Sequence, residues 1–205
     1  VARTDIARRF MGEWRPSAEF WEGLKSGELP ATDPSAPYPF YLASPLEGDV
    51  AVLGEPASWQ IEWKWDGIRG QLIRRRSQCF LWSRGEELIT DRFPEIVSAA
   101  TWLPDGVVLD GEVVAWRDGT VRPFADLQQR IGRKKVSPTI LERVPVRFLA
   151  YDLLEHDHAD IRPLPLQERR ARLEALLTGA PAVLSVSPLV ASASWAELAE
   201  LRAQS

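Results

Sequence analysis

At 205 residues and 45% apolar, the chain can bury one sizeable core, while a net charge of −4 argues against a generic nucleic-acid binder. Its single cysteine, Cys79, excludes an internal disulfide and any cysteine-based metal cluster, and suits a reducing compartment. No stretch reaches transmembrane length, no signal peptide is visible, and the opening from Val1 reads like the interior of a longer protein cut at both ends.

Residues 1–29 carry Ile6, Phe10, Trp14, Phe20, Trp21 and Leu24 at helical spacing, interrupted by Pro16. Pro30, Pro34, Pro37, Pro39 and Pro45 then impose an extended linker or strap over 30–45. From Trp59 the period changes to two. Strands are expected at 59–63, 68–74, 78–83, 107–116, 144–154 and 182–190. Helices are expected at 93–102, 124–131, 166–177 and 195–201. The third of these puts Leu166, Leu173, Leu176 and Leu177 on one face. Asp118-Gly119 is a hairpin turn. Strands linked by hairpin turns imply an α+β fold of mainly antiparallel sheets with flanking helices.

Charge is unevenly spread. From Lys64 to Arg147 there are fifteen Lys/Arg against eleven Asp/Glu, densest at Arg74-Arg75-Arg76 and from Arg130 to Lys135. Such clusters fit a phosphate backbone or, equally, solvated loops. His156-Asp157-His158 lacks the spacing of a zinc site and reads as a loop tip.

The run from Glu62 to Gln71 concentrates the chemistry. Lys64 stands between Trp63 and Trp65, a setting in which desolvation and a neighbouring cation favour the nucleophilic neutral amine. Alone, Lys64 would as readily be an edge-strand lysine. Glu62, two positions earlier, shares its side of an extended strand. Gly67 permits a turn or a close backbone approach. Asp110 and Glu112 share one face of a later strand, where two carboxylates could help hold Mg²⁺.

This run resembles the E-x-K-x-D-G-x-R core of ATP-dependent DNA ligases, members of the covalent nucleotidyltransferases. Four further segments fit in order: Ser83-Arg84-Gly85 with Thr90 to Glu95, Leu109 to Val114, Phe124 to Arg130, and Phe148 to Leu153. The resemblance implies a nucleotidyltransferase (ATP-grasp-like) adenylation domain over 46–205, incomplete at its C-terminus before later lysine motifs and an OB-fold domain. It gives 1–29 the position of the last helices of a DNA-binding domain. It implies that Lys64 attacks the α-phosphate of ATP to form lysine–AMP. AMP then passes to a DNA 5′-phosphate, and the 3′-hydroxyl seals the nick.

By the same resemblance Glu62 binds the adenine amino group and Asp66 orients Lys64 or a metal. Arg69 contacts the nucleotide, and Arg84 lies near ribose and phosphate. Glu112 binds ribose and, with Asp110, Mg²⁺; Phe148 stacks on adenine, and Asp152 is a further site residue. The implied partners are ATP, Mg²⁺ and nicked double-stranded DNA, for a cytoplasmic monomer, nucleoid-associated if bacterial, serving replication, repair or recombination. Lacking the later lysines, the chain alone is expected to bind ATP weakly and self-adenylate slowly or not at all. An RNA ligase or a GTP-using mRNA capping enzyme is the alternative enzyme. A non-catalytic nucleic-acid or protein-binding module is the alternative without chemistry.

Overall fold

The computed structural model describes residues 16–26, 33–133, 136–191 and 194–204. They divide into two units, Val1–Phe40 with Trp65–Val186, and Tyr41–Lys64 with Ser187–Ser205. The helical spacing of Ile6, Phe10 and Trp14 lies outside the described residues; helix α1 is Ala18–Ser26.

The first unit is built on strands β1 (Ile68–Arg75), β2 (Gln78–Ser83), β3 (Val107–Arg117), β4 (Thr120–Val121), β5 (Val146–His156), β6 (Ala159–Asp160) and β7 (Leu184–Val186). They form one sheet in the order β2-β1-β3-β5-β6, with β4 beside β3 and β7 beside β5. Among the described residues only the β5–β7 pair is parallel, so the expected antiparallel α+β character holds. Three two-residue turns join neighbouring strands: Arg76-Ser77, Asp118-Gly119 and Asp157-His158. All six residues have positive φ, the conformation that matches strand twist in a tight hairpin. The Asp105 carboxylate holds the first turn by accepting from the Arg76 and Ser77 amides at 3.0 and 2.8 Å.

Helices α2 (Pro94–Ala100), α3 (Phe124–Ile131), α4 (Pro138–Arg143) and α5 (Leu166–Leu176) flank the sheet. Alternation decides which residues meet them. Leu72, Leu81, Leu109, Val113, Phe148, Ala150 and Leu153 point to one face, where Ile96, Ala100, Leu127, Ile140 and Leu173 complete the core. Leu166 does not join that face; it is exposed at the first turn of α5.

Arg130 is fully buried rather than part of a basic surface. It forms a bidentate ion pair with Glu95, donates to the Arg92 and Val144 carbonyls, and lies over the Phe93 ring. Lys134 and Lys135 lie outside the described residues. Arg75 is likewise paired, with Glu155 at 2.6 Å. Both expected basic clusters are therefore thinner than the sequence implies.

The opposite face of the sheet is partly covered by an extended strap, residues 33–40. The Tyr38 amide and carbonyl both bond the Gln71 side chain, at 2.7 and 3.0 Å. The Tyr38 hydroxyl donates to Glu155 at 2.7 Å, and the Trp82 indole donates to the Ser35 carbonyl at 2.6 Å. Ile73, Val108 and Leu154 fill the space beneath.

The second unit contains two short 3₁₀ turns, Val50–Leu53 and Pro56–Ser58, and helix α6 (Trp195–Ala203). The expected strand at 59–63 is reduced to an isolated bridge between Glu62 and Leu189, beside a 2.8 Å bond from the Val190 amide to the Ile61 carbonyl. Trp59 instead turns back, its indole donating to the Leu53 carbonyl at 2.7 Å. The Trp195 indole donates to the Gly54 carbonyl at 2.7 Å.

Candidate active site

Two sequence segments about forty residues apart meet as adjacent strands. Arg69 pairs in register with Glu112, Gly70 with Gly111 and Gln71 with Asp110. Residues that face each other across a ladder point to the same side. Arg69, Asp110 and Glu112 therefore share the sheet face opposite the helical core.

The glycines make this approach possible. A Cβ on Gly67 would stand 2.3 Å from the Val113 carbonyl oxygen and 2.9 Å from Glu112 Cγ. One on Gly111 would meet the Leu149 carbonyl oxygen at 2.6 Å and the Phe148 ring at 2.7 Å. Both positions need glycine for space rather than for turn geometry.

Arg69 is held on several sides. Its Nη2 and Nε donate to Asp110 at 2.9 and 3.3 Å. Its guanidinium carbon lies 5.7 Å from the Phe40 ring centre and 5.8 Å from that of Tyr151. The Tyr151 phenol lies beside the same carboxylate, close enough for each to bias the other's titration. Burial pushes the Asp110 carboxyl above the usual range, against the downward pull of Arg69 and Tyr151. Burial and the Asp110 charge together push the Tyr151 phenol up.

Tyr151 is the site residue that sequence reasoning missed. On β5, Ala150 pairs with Gly111 but Asp152 pairs with Asp110, so Tyr151 is the extra residue of a β-bulge. Bulges re-aim side chains, and this one brings Tyr151 to Arg69 and Asp110. The legible signal was the polar pair Tyr151-Asp152 interrupting an apolar run.

Phe148, the aromatic expected to stack on adenine, is a correction. It pairs with Val113 on the helical side, is 0% exposed, and lies in the main core. No face of its ring is open to a nucleotide. Asp110, expected to help hold Mg²⁺, has its carboxylate bonded by Arg69. Asp152 is held by Arg169 through bonds of 2.8 and 2.9 Å. Arg84 is exposed just past β2, its amide donating to the Arg69 carbonyl at 2.9 Å. Among the described residues, no group of three or more His, Cys, Asp and Glu could hold a metal ion.

Glu62 and Lys64 belong to the second unit, and Arg69, Arg84, Asp110, Glu112, Phe148 and Asp152 to the first. Glu62 and Lys64 are exposed, whereas Trp63 between them is half-buried, as is Trp65. That alternation is what an extended chain gives, and it keeps Glu62 and Lys64 on one side. The two tryptophans, one position away on either side, turn to the other side from Lys64. Asp66 is exposed.

A family model described as ATP dependent DNA ligase domain matches residues 41–205. A probable DNA ligase of Koribacter versatilis is 39% identical over 153 residues, covering 74% of this chain and 27% of that protein. A DNA ligase of Archaeoglobus fulgidus is 34% identical over 155 residues, covering 75% of this chain and 27% of that protein. The chain thus spans about a quarter of the length of these curated relatives. Among solved structures, the ligase domain from M. tuberculosis LigD is similar with a TM-score of 0.59 and 30% identity, over 73% of this chain and 46% of that one. A mycobacterial DNA ligase D complexed with ATP and MES gives a TM-score of 0.59 and 32% identity, over the same shares.

Proposed function

Because this chain belongs to the ATP-dependent DNA ligase domain family, we propose that it is the adenylation core of a DNA ligase with Lys64 as the nucleophile. The observation that carries the reading is the Arg69–Glu112 register pair, which joins the segment following Lys64 to the Asp110-Gly111-Glu112 segment on one sheet face.

In the proposed reaction the neutral Lys64 amine attacks the α-phosphorus of ATP. A phosphorus–nitrogen bond forms, the bond to the bridging oxygen of the β-phosphate breaks, and pyrophosphate leaves with that electron pair. The 5′-phosphate of a DNA nick then displaces lysine from the adenylyl group. The 3′-hydroxyl finally displaces AMP and closes the strand. Splitting the reaction in this way replaces one hard displacement with easier ones.

The exposure of Lys64 leaves water exclusion to the nucleotide itself, which would cover the amine on binding. Arg69, pinned by Asp110 and flanked by two rings, offers a fixed guanidinium to phosphate oxygens without reorganising. Tyr151, half-buried on that face, is the aromatic available to a base. Glu62 is assigned to the adenine amino group, Arg84 and Glu112 to ribose and phosphate. Mg²⁺ bound to the triphosphate would neutralise the departing pyrophosphate, with Glu112 the carboxylate that would help hold it. A cytoplasmic setting and action on nicked double-stranded DNA belong to the same proposal.

Competition between nucleotides tests the class. ATP, and not GTP, is expected to suppress labelling of the chain by α-labelled ATP. Equal suppression by GTP would favour a capping-type enzyme.

A further inference from the structure

At the far end of β3 from Asp110, a cavity of about 50 Å³ is lined by Trp116, Arg117, Arg122, Asp126 and Arg143, among others. Three guanidinium groups there meet one carboxylate, with Asp126 3.5 Å from Arg122. A fourth arginine joins through the tryptophan, for Arg147 lies 4.1 Å over the Trp116 ring. Arg147 pairs with Val114, two positions before Trp116. Ring and guanidinium therefore share the face that carries Asp110 and Glu112. Asp118 and Glu142, the acids nearest in sequence, do not line the cavity.

Two of these groups are fixed before any ligand arrives. Arg117 Nη2 donates to the Glu142 and Arg143 carbonyls at 2.8 and 2.9 Å, and Trp116 supports Arg147. Guanidinium groups already held in place lose little freedom when they bind phosphate oxygens. The chain as a whole carries −4, so this patch is a local reversal of charge. Size narrows the ligand. A cavity of about 150 Å³ is needed to hold a benzene ring, so this one is too small to enclose a mononucleotide. Arg117, Arg122 and Arg143 are exposed around it, leaving room for a strand to lie across.

We propose that Arg117, Arg122, Arg143 and Arg147, gathered about Trp116, grip the phosphodiester backbone of duplex DNA. The proposal rests on the ligase reading for the identity of the polyanion, and it makes no use of Lys64.

Anisotropy of a labelled nicked duplex, titrated with the chain at several salt concentrations, tests it. The triple variant Arg122→Gln/Arg143→Gln/Arg147→Gln is expected to bind at least tenfold more weakly. Its log-affinity against log-salt slope should flatten by about 0.9 for each phosphate it no longer neutralises. Lysine at the same three positions should restore most of the binding. Arg143→Glu, a single change at an exposed side chain, serves if the triple variant does not fold. Unchanged affinity and slope, no binding by the parent chain, or tighter binding of single-stranded RNA would each overturn the proposal. AMP transfer to Lys64 is read separately, so either reading can fail while the other stands.

Discussion

Arg69 reaches diagonally across the β1–β3 ladder to Asp110, two positions from its register partner Glu112, and closes a two-bond ion pair at 2.9 and 3.3 Å. The pair is partly buried, so its two halves depend on each other. Asp110→Ala would leave a guanidinium facing the Phe40 and Tyr151 rings without its counter-charge. Urea unfolding should show a loss of about 3 kcal/mol. An unchanged midpoint would mean that water satisfies Arg69 as well as Asp110 does.

Gly67 lies against the backbone of β3. Gly67→Ala would press a methyl group into the Val113 carbonyl oxygen, an atom that cannot rotate away. The expected cost is about 1–3 kcal/mol, with a matching shift in the thermal midpoint. A variant as stable as the parent would show that β1 can move away from β3 at no cost.

The strap over the sheet responds to acid. Burial raises the Glu155 carboxyl, but the Arg75 and Tyr38 bonds outweigh it and hold the group below its usual 4.5. A carboxyl depressed in the folded state adds stability that is complete above the unfolded value and is lost as pH falls through the folded one. Stability should therefore fall as the pH drops below about 4.5. Glu155→Gln should flatten that fall while lowering stability at neutral pH. The same acid dependence in parent and variant would assign the effect elsewhere.

The two aromatics of β5 should separate by assay. Phe148→Ala is expected to cost about 3–5 kcal/mol, because its ring fills the main core. Tyr151→Ala should cost less stability and weaken ATP binding more. If Phe148→Leu, which preserves much of the core volume, cost affinity rather than stability, the assignment would be reversed.

Much of the fold was legible because hydrophobic period and turn chemistry agreed. The strand Gln78–Ser83, the helix Phe124–Ile131 and the Asp118-Gly119 hairpin stand where pattern placed them. What escaped depended on tertiary partners. Arg130 looks like a surface cation until Glu95 is brought to it. Helix α4 has only six residues and too few apolar positions to show a period. The role of Tyr38 rests on a bond to Glu155, 117 positions away. At the site, strand alternation correctly put Asp110 and Glu112 on one face. It could not reveal the bulge that turns Tyr151 to that face, and the resemblance pointed to Phe148, which lies in the core instead.

The central claim is that Lys64 forms a bond to an adenylyl group. Peptide mapping by mass spectrometry, after incubation of the chain with ATP and Mg²⁺, reads this directly. The expected result is an acid-labile AMP adduct on the peptide containing Lys64, at low stoichiometry and absent from Lys64→Ala. No adduct on that peptide, or one that persists in Lys64→Ala, would contradict the account.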